Sequence, residues 1–161
     1  MTGSFAPIGA ALFGFLYAPL VITGIHHTTN AVDLQLMQSM GGTPIWPLIA
    51  LSKIAQASAV VGIILISRKE NEREISVPAA ISAYLGVTEP AMYGINLKYK
   101  FPMLCAMVGS SCAALICGFA GVMANGIGVG GLPGILSIQP QYWAIYAIAM
   151  QASELSGKMH Q

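Results

Sequence analysis

The chain has 161 residues, 55% of them hydrophobic, 8% aromatic and 8% charged, where a soluble domain carries roughly 25% charge. Seven Lys/Arg against six Asp/Glu give a formal net charge of +1, so no basic field exists to neutralise nucleic-acid phosphates. That balance excludes a nucleic-acid-binding protein and disfavours a water-soluble fold. The charge is also unevenly spent, with six of the thirteen charged residues in Ser67 to Glu74 (SRKENERE).

The first apolar run, Phe5 to Ile25, holds no charge, and no Lys or Arg precedes Lys53. The run is too long for the apolar core of a cleaved signal and lacks its basic start, so it reads as a membrane span. Helices of about 20 apolar residues cross a bilayer because each residue rises ~1.5 Å through a core ~30 Å thick. Ile45 to Ile66, with Lys53 alone, and Phe101 to Ala124, with no charge, meet the same condition. Between the first two runs, His26 to Pro44 (HHTTNAVDLQLMQSMGGTP) is polar and ends in a Gly-Gly turn signal, and is expected to form a first hairpin.

Ile75 to Leu97 carries one charge, Glu89, and four breakers, Pro78, Gly86, Pro90 and Gly94. Basic residues flank it on both sides, Arg68, Lys69 and Arg73 before and Lys98 and Lys100 after. Because Lys and Arg concentrate in short cytoplasmic loops, both ends belong on the inner face. The segment is then a re-entrant hairpin, which lipid permits only where protein or water satisfies its irregular backbone. Past the third span, Tyr142 to Ala152 is too short to cross and is followed by a polar tail over residues 153–161 (SELSGKMHQ). The expected architecture is an all-α membrane protein of about three full spans, two re-entrant hairpins and a truncated last helix. Residues 1–152 form the membrane domain.

Glu89 is the most informative residue. A carboxylate in an apolar hairpin costs roughly 2.5–3.5 kcal/mol on insertion scales unless it is paired or hydrated. It is expected to accept hydrogen bonds from substrate hydroxyls and to act as general base toward one of them; the alternative is a carboxylate paired only to hold the hairpin. His26 and His27 follow the first span directly and are able to donate to, or accept from, a hydroxyl at neutral pH. Adjacent helical residues do not share a face, so one of the two is expected in any site, unless both merely decorate the water interface. Asp33 and Lys53, each isolated, are candidates to pair with one another.

Asn125 to Gly134 (NGIGVGGLPG) contains a formal GxGxxG at Gly126, Gly128 and Gly131. A dinucleotide fingerprint needs a preceding strand and an acid about 20 residues on; here a membrane span precedes, and no acid comes before Glu154. A cavity-lining loop or helix packing fits better. Cys105, Cys112 and Cys117 have neither CxxC spacing nor accompanying histidines, which points to apolar filling and to no metal site. Trp46, Tyr142 and Trp143 sit near segment ends, as interface anchors do.

GIHH (Gly24 to His27) after a span, followed by GVTEP (Gly86 to Pro90) in a broken hairpin, resembles the membrane C domain, EIIC, of the glucose-superfamily enzymes II of the bacterial phosphoenolpyruvate-dependent sugar phosphotransferase system. The likeness runs from near residue 5 to about 150. TTNAVDLQLMQ, NEREISVPAAISAYLGVTEPAMYGINLKYKFP and MANGIGVGGLPGILSIQP look most like the trehalose-specific members of the glucoside branch. GVTEP departs conservatively from the commoner GITEP, and Lys53 stands where a neutral residue is expected.

The resemblance implies uptake of a disaccharide, trehalose or another glucoside, coupled to its phosphorylation. The donor is a phosphocysteine on a separate EIIB domain, itself served by EIIA, and no further cofactor is implied. Glu89 would touch the reacting hydroxyl, with Thr88, His26 and His27 contributing hydrogen bonds. The family is multi-pass in the bacterial inner membrane and works as a homodimer through further spans. None of the three cysteines matches the phosphocarrier motif. On this reading the chain is the sugar-binding half of the transporter, and phosphotransfer is not expected of these residues alone. A facilitator or cation-coupled transporter, which also uses broken helices and a midplane carboxylate, is the rival, and a non-catalytic membrane fragment is a third possibility.

Overall fold

The computed structural model describes residues 4–67, 69–128 and 130–158, the side chains of 156–158 excepted. The described residues form helices and no strand: α1 (Ala6–Ile22), α2 (His26–Met40), α3 (Ile45–Ile66), α4 (Glu70–Tyr84), α5 (Glu89–Ala91), α6 (Leu97–Tyr99), α7 (Phe101–Ala120) and α8 (Trp143–Lys158). A single π turn, Met92–Asn96, joins α5 to α6. The helix α3 and the sequence-predicted span share the same bounds. Both α3 and α7 are long and apolar enough to cross a membrane; α1, at 17 residues, is shorter.

The helix α3 is the centre. Its side chains are apolar except for Ser52, Lys53, Gln56 and Ser58, and nearly all of those from Trp46 to Val60 are buried, the mark of a helix enclosed by others. Four helices, α1, α4, α7 and α8, pack around it. Small residues bring α1 and α7 together: a Cβ at Gly14 would lie 2.8 Å from the Ala114 Cβ, and one at Gly118 would lie 2.9 Å from the Pro7 Cα. Close backbone approach of this kind is how helices associate where no hydrophobic drive separates them from lipid. The Ser111 hydroxyl adds a bond of 3.1 Å to the Ala11 carbonyl.

Three expectations change. The polar stretch 26–44 is not a hairpin: no Gly or Pro interrupts His26 to Met40, and the backbone runs as the one helix α2 until Gly41 ends it. The third span stops at Ala120, capped by Gly121, because hydropathy alone continues past the helix end. The last helix is longer than the expected stub, running beyond Ala152 through Lys158, with Ser153 fully buried and its hydroxyl 3.2 Å from the Leu51 carbonyl. Residues 159–161 of the expected tail lie outside the described residues.

The segment 75–97 does reverse. The helix α4 passes through Pro78 unbroken; the reversal comes at Leu85 to Thr88, after which Pro90 occupies the first turn of α5, where its missing N–H costs nothing. At the open end the two arms are clasped. The Glu72 carboxylate accepts from the Ser67 hydroxyl (2.6 Å) and the Tyr99 hydroxyl (2.5 Å), and Lys98 Nζ stands 3.8 Å away. The Ser67 and Tyr99 hydrogen bonds, helped by the Lys69 and Lys98 charges, hold Glu72 below the ordinary carboxylate range. A carboxylate depressed in the folded state contributes stability that is present above its unfolded value and lost as pH falls through its folded one. Amide protection at the clasp is therefore expected to fall on acidification below about pH 4.5. In Glu72→Gln the protection should be weaker throughout and indifferent to pH across that window. Hydrogen exchange of residues 67–73 and 96–100 measures this, and a pH response retained in Glu72→Gln would assign the effect elsewhere.

Candidate functional site

The reversal places GVTEP at the tip of the α4–α6 hairpin, and the first turn of α2 meets it. Glu89 opens α5, with Thr88 directly before it and almost wholly buried. His26 opens α2. The two motifs, far apart in sequence, converge there: His26 Nε2 is 4.0 Å from Glu89 Oε1. The Tyr93 hydroxyl, 3.4 Å from the Ile22 carbonyl, ties the returning arm to the end of α1 on the same side.

The two histidines separate as adjacent helical residues must. The His26 side chain is 14% exposed and faces the carboxylate, whereas His27 is exposed and lays its ring against that of His26, centroids 4.0 Å apart. Glu89 itself is 49% exposed. The described residues do not close a water-excluding interior around this carboxylate. Glu89 lies instead on an open face, beside His26.

The proposed Asp33–Lys53 pair is not formed. Asp33 is fully buried and accepts from the Thr43 hydroxyl. Thr43 is fixed in place by paired backbone bonds with Ala124, 2.9 Å in each direction. Lys53 instead holds its ammonium 5.5 Å from the centre of the Trp46 ring, within electrostatic reach of Glu89. A charge-balance argument could not see this, because a buried carboxylate is equally served by a hydroxyl donor.

The glycine run finds its use here. A Cβ at Gly130 would come 2.9 Å from the Lys53 Cδ, and one at Gly131 only 2.0 Å from the Tyr84 carbonyl oxygen. The loop backbone thus lies directly on Lys53 and on the turn that presents GVTEP. It is a wall of the site, in keeping with the cavity-lining reading and unlike a phosphate-binding fingerprint.

Trp46 is not an interface anchor. It is 4% exposed and forms part of a cleft of about 230 Å³ lined also by Asn30, Leu34, Ile127 and Gly128. Sequence reasoning missed this cleft; the available signal was the i, i+4 spacing that sets Asn30 on the His26 face of α2. Cys105 and Cys117 are buried, Cys112 is exposed, and all three are free thiols.

Residues 1–110 match the family model described as "Phosphotransferase system, EIIC". Among curated proteins, the chain is 82% identical over 150 residues to the PTS system trehalose-specific EIIBC component of Escherichia coli (strain K12), covering 93% of this chain and 32% of that protein. It is 52% identical to the trehalose-specific EIIBC component of Bacillus subtilis (strain 168), covering 92% of this chain and 32% of that protein. It is 45% identical to the sucrose-specific EIIBC component of Pasteurella multocida (strain Pm70), covering 91% and 31% respectively. The chain therefore spans about a third of the length of the curated relatives it matches. No solved structure matches it. With GIHH and GVTEP brought to one site and a family match over residues 1–110, the chain belongs to the phosphotransferase-system EIIC family, whose domains are embedded in the membrane.

Proposed function

We propose that this chain supplies the sugar-binding part of a multi-pass EIIC domain in the bacterial inner membrane, taking up trehalose or a related glucoside disaccharide and presenting it for phosphorylation. The observation that carries the reading is the 4.0 Å approach of His26 to Glu89, which assembles a polar pair from two motifs at the tip of a hairpin. We read the arms as re-entrant, with the charged clasp at the inner face. The full-length enzyme is a homodimer that receives its phosphoryl group through EIIA and EIIB, and needs no other cofactor.

In this mechanism the sugar hydroxyl lies against Glu89. As its oxygen attacks the phosphorus of the EIIB phosphocysteine, Glu89 accepts the hydroxyl proton. The P–O bond forms, the S–P bond breaks, and the thiolate leaves. Catalysis of this kind is mostly positioning of acceptor and donor in line. His26, part-buried and next to Glu89, donates to a neighbouring hydroxyl or orients the carboxylate, while the buried Thr88 fixes the turn.

Uptake of labelled trehalose by cells bearing the full-length protein tests the reading: trehalose phosphate is expected inside, and free trehalose would instead establish a facilitator or cation-coupled carrier. The histidines give a sharper expectation. His26→Ala should lower sugar phosphorylation at least about tenfold, whereas His27→Ala should cost about twofold or less. Phosphorylation rates in isolated membranes decide this, and equal, negligible losses would reduce both to interfacial decoration.

A further inference from the structure

The cleft lined by Asn30, Leu34, Trp46, Ile127 and Gly128 is built from three elements, each of which also carries a residue close to the GVTEP turn or to Glu89. Along α2, His26, Asn30 and Leu34 follow at i, i+4 and i+8 and so share a face. Along α3, Lys53 and Trp46 are two turns apart, about 10.5 Å, with the lysine ammonium reaching back over the indole. Along the glycine loop, Gly130 lies on Lys53 while Gly128 lines the cleft. Each element therefore leads from the neighbourhood of Glu89 toward the cleft.

Its size and walls say what fits. At about 230 Å³ it falls below the roughly 300–1,000 Å³ of pockets that take a whole small molecule, so it holds one ring. Trp46 forms the floor; Leu34 and Ile127 offer apolar contact to a ring face, and Asn30 offers an amide to a hydroxyl. The step from His26 to Asn30 is four residues, about 6 Å along the helix, close to the offset that a single bridging oxygen imposes on two pyranose rings.

We propose that this cleft is the subsite for the second ring of the disaccharide, the unit that is not phosphorylated, and that Asn30 and Leu34 on α2 select it. The proposal rests on the reading of Glu89 and His26 as the reacting end. Trehalose and sucrose, printed in the names of the relatives, share a glucosyl unit and differ in the other ring. The shared unit belongs at Glu89 and the differing unit in the cleft, so discrimination among glucosides resides here, remote from the chemistry.

The test compares two sugars in the full-length enzyme: trehalose, with both rings, and methyl α-glucoside, which has the shared ring alone, as substrate or as competitor of labelled trehalose. Asn30 and Leu34 are exposed, so changing them spares the core. Leu34→Phe fills the cleft, and the ratio of kcat/KM for trehalose to that for methyl α-glucoside should fall at least about tenfold, through KM. Asn30→Ala, which removes one hydrogen-bonding group, should lower the ratio about three- to tenfold. A ratio unchanged in Leu34→Phe, whether both sugars are spared or both suffer equally, overturns the subsite. Glu89→Gln in the same assay separates the two claims: intact turnover there would defeat the catalytic reading, while the ratio still decides the cleft. A parent enzyme that takes neither sugar would defeat both.

Discussion

Glu89→Gln is expected to lower sugar phosphorylation by at least about a hundredfold, through kcat, while leaving membrane insertion unchanged. The amide keeps the length and shape of the side chain and still accepts a hydrogen bond, so sugar binding survives in large part. What it loses is the ability to take up the hydroxyl proton, and general-base assistance is worth roughly 10²–10⁴ in rate. Stability should not confound the result, because Glu89 is half-exposed at the start of a short helix, and its closest ionisable neighbour among the described residues, His26, stands 4.0 Å away. Phosphorylation of labelled trehalose in membranes supplied with phosphoenolpyruvate and the soluble phosphotransfer proteins measures the rate, and immunoblotting of the membrane fraction measures insertion. Undiminished phosphorylation would remove Glu89 from the chemistry.

The parts of this molecule that were legible in its sequence are those set by local composition. An apolar run with Lys53 as its one charge gave α3 its bounds, and flanking charge with Gly86 gave the hairpin its reversal. The pairing of GIHH with GVTEP was legible through resemblance alone, since no local rule joins residues so far apart. Where local rules conflicted with tertiary context, the reading went astray. The polar run after α1 looked like an interruption, yet without Gly or Pro before Gly41 nothing prevents a helix. Asp33 looked unpaired because its partner is the uncharged Thr43, delivered by the turn after α2 and held by the Ala124 backbone. Trp46 looked like an anchor because segment ends favour aromatics, but Lys53 lies over its ring and the described fold buries it. The contact between the glycine loop and the hairpin tip is long-range and leaves only the glycines themselves as a trace.

That contact carries the largest stability prediction. Gly131 sits at φ +65° and ψ −148°, a region essentially closed to residues with a Cβ. Its missing side chain also leaves room for the Tyr84 carbonyl, which an added Cβ would meet at 2.0 Å, with the Gly86 nitrogen at 2.9 Å. Both obstacles are backbone atoms, so no side-chain rotation relieves them. Gly131→Ala is expected to cost about 3–5 kcal/mol, strain and overpacking together, and to abolish sugar phosphorylation as the loop withdraws from the GVTEP turn. Two neighbours calibrate the effect. Gly128, at φ +111° with nothing within 4 Å of an added Cβ, should show the strain alone, about 1–3 kcal/mol. Gly126, whose nearest atom would be 3.9 Å away, should be close to neutral. Thermal unfolding of the three variants in detergent gives the order Gly131→Ala, Gly128→Ala, Gly126→Ala from most to least damaging. Were Gly131→Ala as benign as Gly126→Ala, the loop would not rest on the hairpin tip, and the wall it provides beside Glu89 and Lys53 would be lost from the site.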